Sequence, residues 1–201
     1  MRLTAGLAFS NNTAQDATAL LLRHGCAHTV GHSARVAAAA RQLAKRFGGD
    51  PAAAEQAGWL HDISTVIPNA ERIACAEAWR IEALPEERLV PMIIHQKLSA
   101  YLAAQIFAVT DSATLSAIGC HTTLKPQPSQ LDKIVFIADK WRWDGPGNPP
   151  YLAGLEAQIA VSLDAATRWF LAYLWDWRAS LLVIHPWLAA AHADVVGNGV
   201  E

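Results

Sequence analysis

The chain has 201 residues, 16 Lys plus Arg against 18 Asp plus Glu, and 52% apolar residues. That composition excludes a disordered chain, and at this length about 70% of the unfolded surface can be buried in one core. A net charge of −2 lacks the basic excess of a nucleic-acid binder, so no nucleic-acid partner is expected.

Ala, Leu, Gln, Glu and Arg recur with helical period and strand alternation is scarce, so the expected fold class is all-α. Thr13 with Asp16 opens a helix that runs toward Arg23 and stops before Gly25. A second runs from about Gly31 to Phe47 and ends at Gly48-Gly49. Asp50 and Pro51 supply a cap and a first-turn proline for a third, which reaches about His61. Further helices fit Asn69 to Ile81, Pro85 to about His95, Gln96 to Phe107 and Asp111 to about His121. Ser129 with Asp132 caps another that ends near Lys140. Residues 144–150, rich in Gly and Pro, form a loop. Tyr151 to Ile184 reads as a long C-terminal helix, apolar on most faces. It covers the core of the earlier helices, or its aromatic cluster around Trp169 and Trp177 forms an oligomer interface, as in a homodimer. The expected organisation is a single domain over residues 1–201: a core from about 13 to 143, the loop, and a C-terminal helical region at 151–195.

Cys26, Cys75 and Cys120 are widely spaced and form no C-x-x-C pair, which points to a reduced, cytoplasmic chain. Ser10-Asn11-Asn12 ends the opening apolar stretch too early for a secretory signal, and no apolar run approaches the roughly 20 residues of a membrane span. A soluble protein without a membrane partner is expected.

His61-Asp62 follows Gly58-Trp59-Leu60 at the end of the third helix, a place that suits either an exposed histidine or a buried pair. The neighbouring periodicity favours burial. The stripe Val36, Ala40, Leu43, Phe47 extends backward to His32, so this imidazole faces inward. Leu131, Val135 and Ala138 set the inward side of the Ser129 helix, and Asp139 falls four residues after Val135. A carboxylate there is costly unless a cation or several donors meet it. His95 and His121 also continue apolar faces, three residues after Met92 and Ile118. Each histidine alone is more often a satisfied core residue than a ligand. Four of them with two aspartates supply the mixed nitrogen and oxygen donors of Fe, Mn, Co or Zn sites that keep positions open for water.

The ordered set His32-x-x-x-Val36-Ala37, His61-Asp62, His95, His121-Thr122-Thr123, Ala138-Asp139 and His185-Pro186 resembles the HD-domain phosphohydrolases. Within them it is similar to the YqeK-like branch, the symmetrical bis(5'-nucleosyl)-tetraphosphatases, over roughly residues 15–190. The resemblance implies a helical HD bundle with two divalent transition metals, iron foremost and Mn, Co or Zn as other occupants. It implies His32, His61, Asp62 and Asp139 as the defining ligands and His95 and His121 as those of a second metal, with Asp62 bridging. His61 and Asp62 would be the catalytic pair. The implied reaction is hydrolysis of diadenosine tetraphosphate to two ADP by a metal-bound hydroxide, so the partner is a nucleotide substrate. A polyphosphate also needs donors beyond the metals, for which Lys97, Lys125, Lys133, Arg35 and Thr122 are the candidates; Lys125 and Lys133 suit a solvated surface equally well, and Lys97 and Arg35 suit it better.

The chain departs from the family pattern at three places. Thr65 stands where a Lys is common, Thr29 where an Arg is common, and Trp141-Arg142-Trp143-Asp144-Gly145 where an acidic-Pro-x-Arg turn is common. Open alternatives are another HD phosphohydrolase such as a nucleoside monophosphate phosphatase, a nucleotide-binding HD protein with weakened turnover, and a helical structural domain. His24 and His28 read as surface imidazoles, His192 as exposed, His185 as a cap at the end of the long helix, and Trp141 and Trp143 as packing residues with base stacking as the alternative.

Overall fold

A computed structural model describes residues 3–197. Among them the chain forms α1 (Thr13–Arg23), α2 (Ala27–Phe47), α3 (Pro51–Leu60), α4 (Arg72–Ala78), α5 (Pro85–Leu89), α6 (His95–Ile106), α7 (Ser112–Cys120), α8 (Gln130–Trp141), α9 (Leu152–Val161), α10 (Leu163–Asp176) and α11 (Pro186–Val195), with three short 3₁₀ turns and no strand. The fold is all-α. Local chemistry sets most boundaries: the Asp50 side chain accepts from the Ala52 and Ala53 N–H groups, and Ser129 and Asp132 form a reciprocal capping box.

The helix expected over Asn69 to Ile81 is a 3₁₀ turn at Asn69–Glu71 followed by α4, and three other boundaries differ from the expected ones for a backbone reason. Left-handed Gly25 (φ 74) turns the chain sharply after α1, so α2 begins at Ala27, four residues ahead of Gly31. The stretch from Pro85 toward His95 breaks after Leu89, because Val90 precedes Pro91 and adopts a non-helical conformation (φ −126, ψ 80); His95 then opens α6. The long helix expected over Tyr151 to Ile184 is instead two helices, α9 and α10, and a 3₁₀ turn at Arg178–Ser180, with α11 beyond it. Ser162 is extended (φ −165, ψ 166) and its side chain caps α10 through Ala165 N–H, and a second break precedes Pro186 of α11.

Two apolar clusters make up the interior. One joins Val36 and Leu43 of α2 to Phe136 of α8 and to Leu155, Phe170 and Leu188 of the C-terminal helices; the other gathers Leu20, Leu60, Ile63, Leu98, Ile118 and Val135. Helix α8 lies between them, which is why Ile134 to Ala138 are buried on every face and not on the single side that periodicity suggests. Helices α2 and α3 meet at Gly58, where a Cβ atom would stand 2.5 Å from Ala37 Cα. This close approach sets the separation of His32 and His61. No helix of the described residues is long and apolar enough to cross a membrane.

Candidate metal centre

His32 lies within α2, His61 caps the end of α3, His95 opens α6, His121 follows α7, and Asp139 sits in the last turn of α8. Helix ends bring three of these imidazoles to one place, and there the backbone orients them. The Nδ1–H groups of His61, His95 and His121 donate to the carbonyls of Gly58 (2.7 Å), Met92 (2.5 Å) and Ile118 (2.8 Å). In the neutral ring, with the proton on Nδ1, each Nε2 carries a lone pair that points inward.

Those nitrogens face one another in pairs, His32 Nε2 to His61 Nε2 at 3.0 Å and His95 Nε2 to His121 Nε2 at 2.9 Å. Lone pairs so placed repel unless a proton or a cation lies between them. Two ligand nitrogens at right angles, each about 2.1 Å from one ion, stand about 3.0 Å apart, so the donor set fits a cation. Asp62 serves both pairs: Oδ1 is 3.1 Å from His95 and 3.5 Å from His121, while Oδ2 is 3.6 Å from His61 and 3.8 Å from His32. Asp139 Oδ1 completes the first group, 3.1 Å from His32 and 3.6 Å from His61. Two sets that could hold a metal therefore share Asp62: His32, His61, Asp62 and Asp62, His95, His121.

Charge in the cluster is strongly biased. Burial opposes ionisation of Asp62, but His61, His121 and His95 hold its carboxyl well below the usual range; Lys140, His32 and His61 do the same for Asp139. Burial disfavours a charged His61, yet Asp62 and Asp139 raise it to about 9, whereas burial prevails at His121 and lowers it to about 4 despite its bond to Asp62. In the metal-free chain a proton on His61 supplies part of the positive charge that the two carboxylates demand.

Residues 29–143 match the family model of the HD domain. The chain belongs to the HD domain family. A Lactococcus lactis relative, described only as an uncharacterized protein in the pepC 5' region, is 48% identical over 69% of this chain and 70% of its own length. The symmetrical bis(5'-nucleosyl)-tetraphosphatase of Bacillus subtilis is 34% identical over 59% of this chain and 61% of its own length, so the match spans about six-tenths of that relative. A Staphylococcus aureus protein of the same name is 31% identical over 54% of this chain and 55% of its own length. A Clostridium acetobutylicum crystal structure, titled a "predicted HD superfamily hydrolase involved in NAD metabolism", superposes with a TM-score of 0.82 at 22% identity. It covers 96% of this chain and 100% of that one, a likeness of fold.

The HD centre opens into a cleft of about 200 Å³, lined on its outer side by Thr122, Lys140, Trp143, Asp144 and Tyr151. Of the five candidate substrate residues only Thr122 lines it, with Oγ1 3.3 Å from His95 Nε2. Lys97 is paired with buried Glu87 (2.8 Å), Lys125 with buried Asp132 (3.3 Å) and Lys133 with Asp164 (2.8 Å). Arg35, one turn beyond His32, does not line the cleft either. The cation that does is Lys140, whose Nζ donates to Asp139 Oδ2 (2.6 Å) and to the His121 carbonyl (3.3 Å). In the sequence it reads only as the end of the helix that Ser129 caps. Gln96 is a second such residue: fully buried, its Oε1 accepts from the Thr122 and Thr123 N–H groups and holds the turn after His121. Tyr151, pushed up to about 12 by burial and by Asp139, stays protonated and donates to the Lys140 carbonyl.

Other histidines have local roles. His24 Nε2 meets the Leu3 carbonyl, and His192 stacks on Trp175 (4.4 Å) and is only half-buried. His185 is the N-cap of α11, not a C-terminal cap; it is buried against Glu87. Thr65, at the position of the common Lys, donates to the Asp62 carbonyl and tightens the turn after the His-Asp pair.

Proposed function

We propose that this HD-domain protein is a metal-dependent hydrolase of dinucleoside polyphosphates that converts diadenosine tetraphosphate to two ADP. The carrying observation is the division of Asp62, one carboxylate oxygen toward each facing pair of imidazoles. His32, His61, Asp139 and Asp62 would hold one divalent ion, and His95, His121 and Asp62 a second. Iron is the occupant that the family resemblance implies. Such a pair supplies Lewis-acid charge at phosphoryl oxygens and a water of lowered pKa. The substrate class is supported by the relatives named tetraphosphatases.

The chain's own groups suit an anionic chain of phosphates. Lys140 places one ammonium beside Asp139, and Thr122 a hydroxyl beside His95, so both can donate to phosphoryl oxygens at the centre. Tyr151 closes the far wall as a neutral phenol, and the half-exposed Trp143 ring stands at the mouth, where a base can stack. In the reaction, water adds its oxygen to a central phosphorus, the bridging bond between the second and third phosphates breaks, and each half leaves as ADP. In this reading the described residues, 3–197, form one HD domain, with α9 to α11 as cover for the helices that bear the ligands.

Metal content and hydrolysis measured on one sample test the proposal. The wild-type chain is expected to carry two divalent ions and to yield only ADP from diadenosine tetraphosphate. Asp62→Ala is expected to lose both ions and at least about a thousandfold in turnover, about 4 kcal/mol of barrier. Metal uptake and turnover retained in Asp62→Ala would overturn the assignment, and phosphate release from AMP would turn it toward a monophosphatase.

A further inference from the structure

Three of the four imidazoles owe their orientation to a backbone carbonyl; His32 does not. It lies inside α2, where the carbonyls one turn back are taken up by the helix, so no free backbone acceptor faces its ring. Its Nδ1 is buried and has no hydrogen-bond partner. The carboxylate of Asp144 lies near this orphaned atom, with Oδ2 3.9 Å from His32 Nδ1 and 3.6 Å from His28 Nδ1. Asp144 begins the Gly- and Pro-rich stretch that follows α8, outside any helix and half-exposed.

We infer that Asp144 is a positioning residue for His32: its carboxylate accepts the Nδ1–H bond and fixes the ring with Nε2 toward the centre. The inference rests on the reading of His32 as a metal ligand. A histidine that gives Nε2 to a cation must carry its proton on Nδ1, and that N–H becomes a stronger donor. Buried without an acceptor it would oppose binding; a carboxylate is the acceptor best matched to it. Closing the last ångström asks for a shift of Asp144, which lies outside any helix. His28, exposed on the same helix, lies 3.6 Å from the same oxygen and would compete for it.

Zinc titration against a fluorescent chelator, together with ¹⁵N-histidine NMR of the zinc-loaded chain, tests this. Asp144→Ala is expected to weaken zinc binding about ten- to a hundredfold and to move the His32 Nδ1–H resonance upfield. Asp144→Asn, which keeps an acceptor oxygen, is expected to recover most of the loss, and His28→Ala to bind zinc at least as tightly as wild type. Equal melting temperatures of the Ala and Asn variants would show that the difference is not one of folding. Wild-type affinity and an unmoved His32 resonance in Asp144→Ala would overturn the inference and leave the metal centre intact. A wild-type chain that takes up no zinc, manganese or iron would overturn the centre and this role with it.

Discussion

Lys140 shows how one position can be misjudged on a helix and still matter. It follows Asp139 directly, and successive helical side chains diverge by about 100°, so a carboxylate turned inward predicts a neighbour turned away. The last turn of α8 lies at the rim of the cleft, however, and the lysine folds back onto Asp139 and the His121 carbonyl. Lys97, Lys125 and Lys133 look like better phosphate contacts in the sequence, but none of them lines the cleft, and each is paired with a carboxylate away from it. If Lys140 meets the phosphates, Lys140→Gln raises KM for the tetraphosphate about tenfold or more, the worth of one charge-assisted hydrogen bond, in steady-state kinetics. The same substitution at Lys133 leaves KM unchanged.

At the scale of elements, the α2–α3 contact governs the first imidazole pair. Gly58 permits it, because a methyl group there would meet the backbone of Ala37, which cannot yield as a flexible side chain can. Gly58→Ala is expected to destabilise the chain by about 3 kcal/mol in urea denaturation and to weaken zinc binding by spreading His32 from His61. Most helix starts were legible because caps are local: Asp50 with Pro51 and Ser129 with Asp132 act over three or four residues. The break at Ser162 was not, since one serine within an apolar run has the same composition whether it caps a new helix or rides through an old one. Its extended backbone follows from packing α9 and α10 against the same cluster.

Across the whole molecule, Glu87 ties the C-terminal region to the helix that begins with His95. Fully buried, it accepts from Lys97 of α6 and from Leu84 N–H, and lies 3.3 Å from His185 ahead of α11. Burial alone would raise its pKa, but His185, Lys97 and the Leu84 N–H hold it below the usual carboxylate range. A folded pKa below the unfolded value of about 4.3 means that this contribution is complete above that pH and is lost as pH falls through the folded pKa. Glu87→Gln is therefore expected to be less stable by about 3 kcal/mol at pH 7, and the gap to wild type to narrow below about pH 4.3, as followed by urea midpoints. Parallel curves for the two proteins would refute the role of Glu87.

The helical class and most element starts could be read directly from residue order, because helical period, caps and apolar faces express themselves over a few neighbouring positions, and the six candidate ligands stood out there as an ordered set of histidines and aspartates that resembles a family pattern. The facing of Nε2 on Nε2, the sharing of Asp62, the lysines' partners and the place of Lys140 depended on segments as far apart as the 107 residues between His32 and Asp139. Such relations are distances between helices, set by which side chains fill the space between them, and no local pattern encodes them.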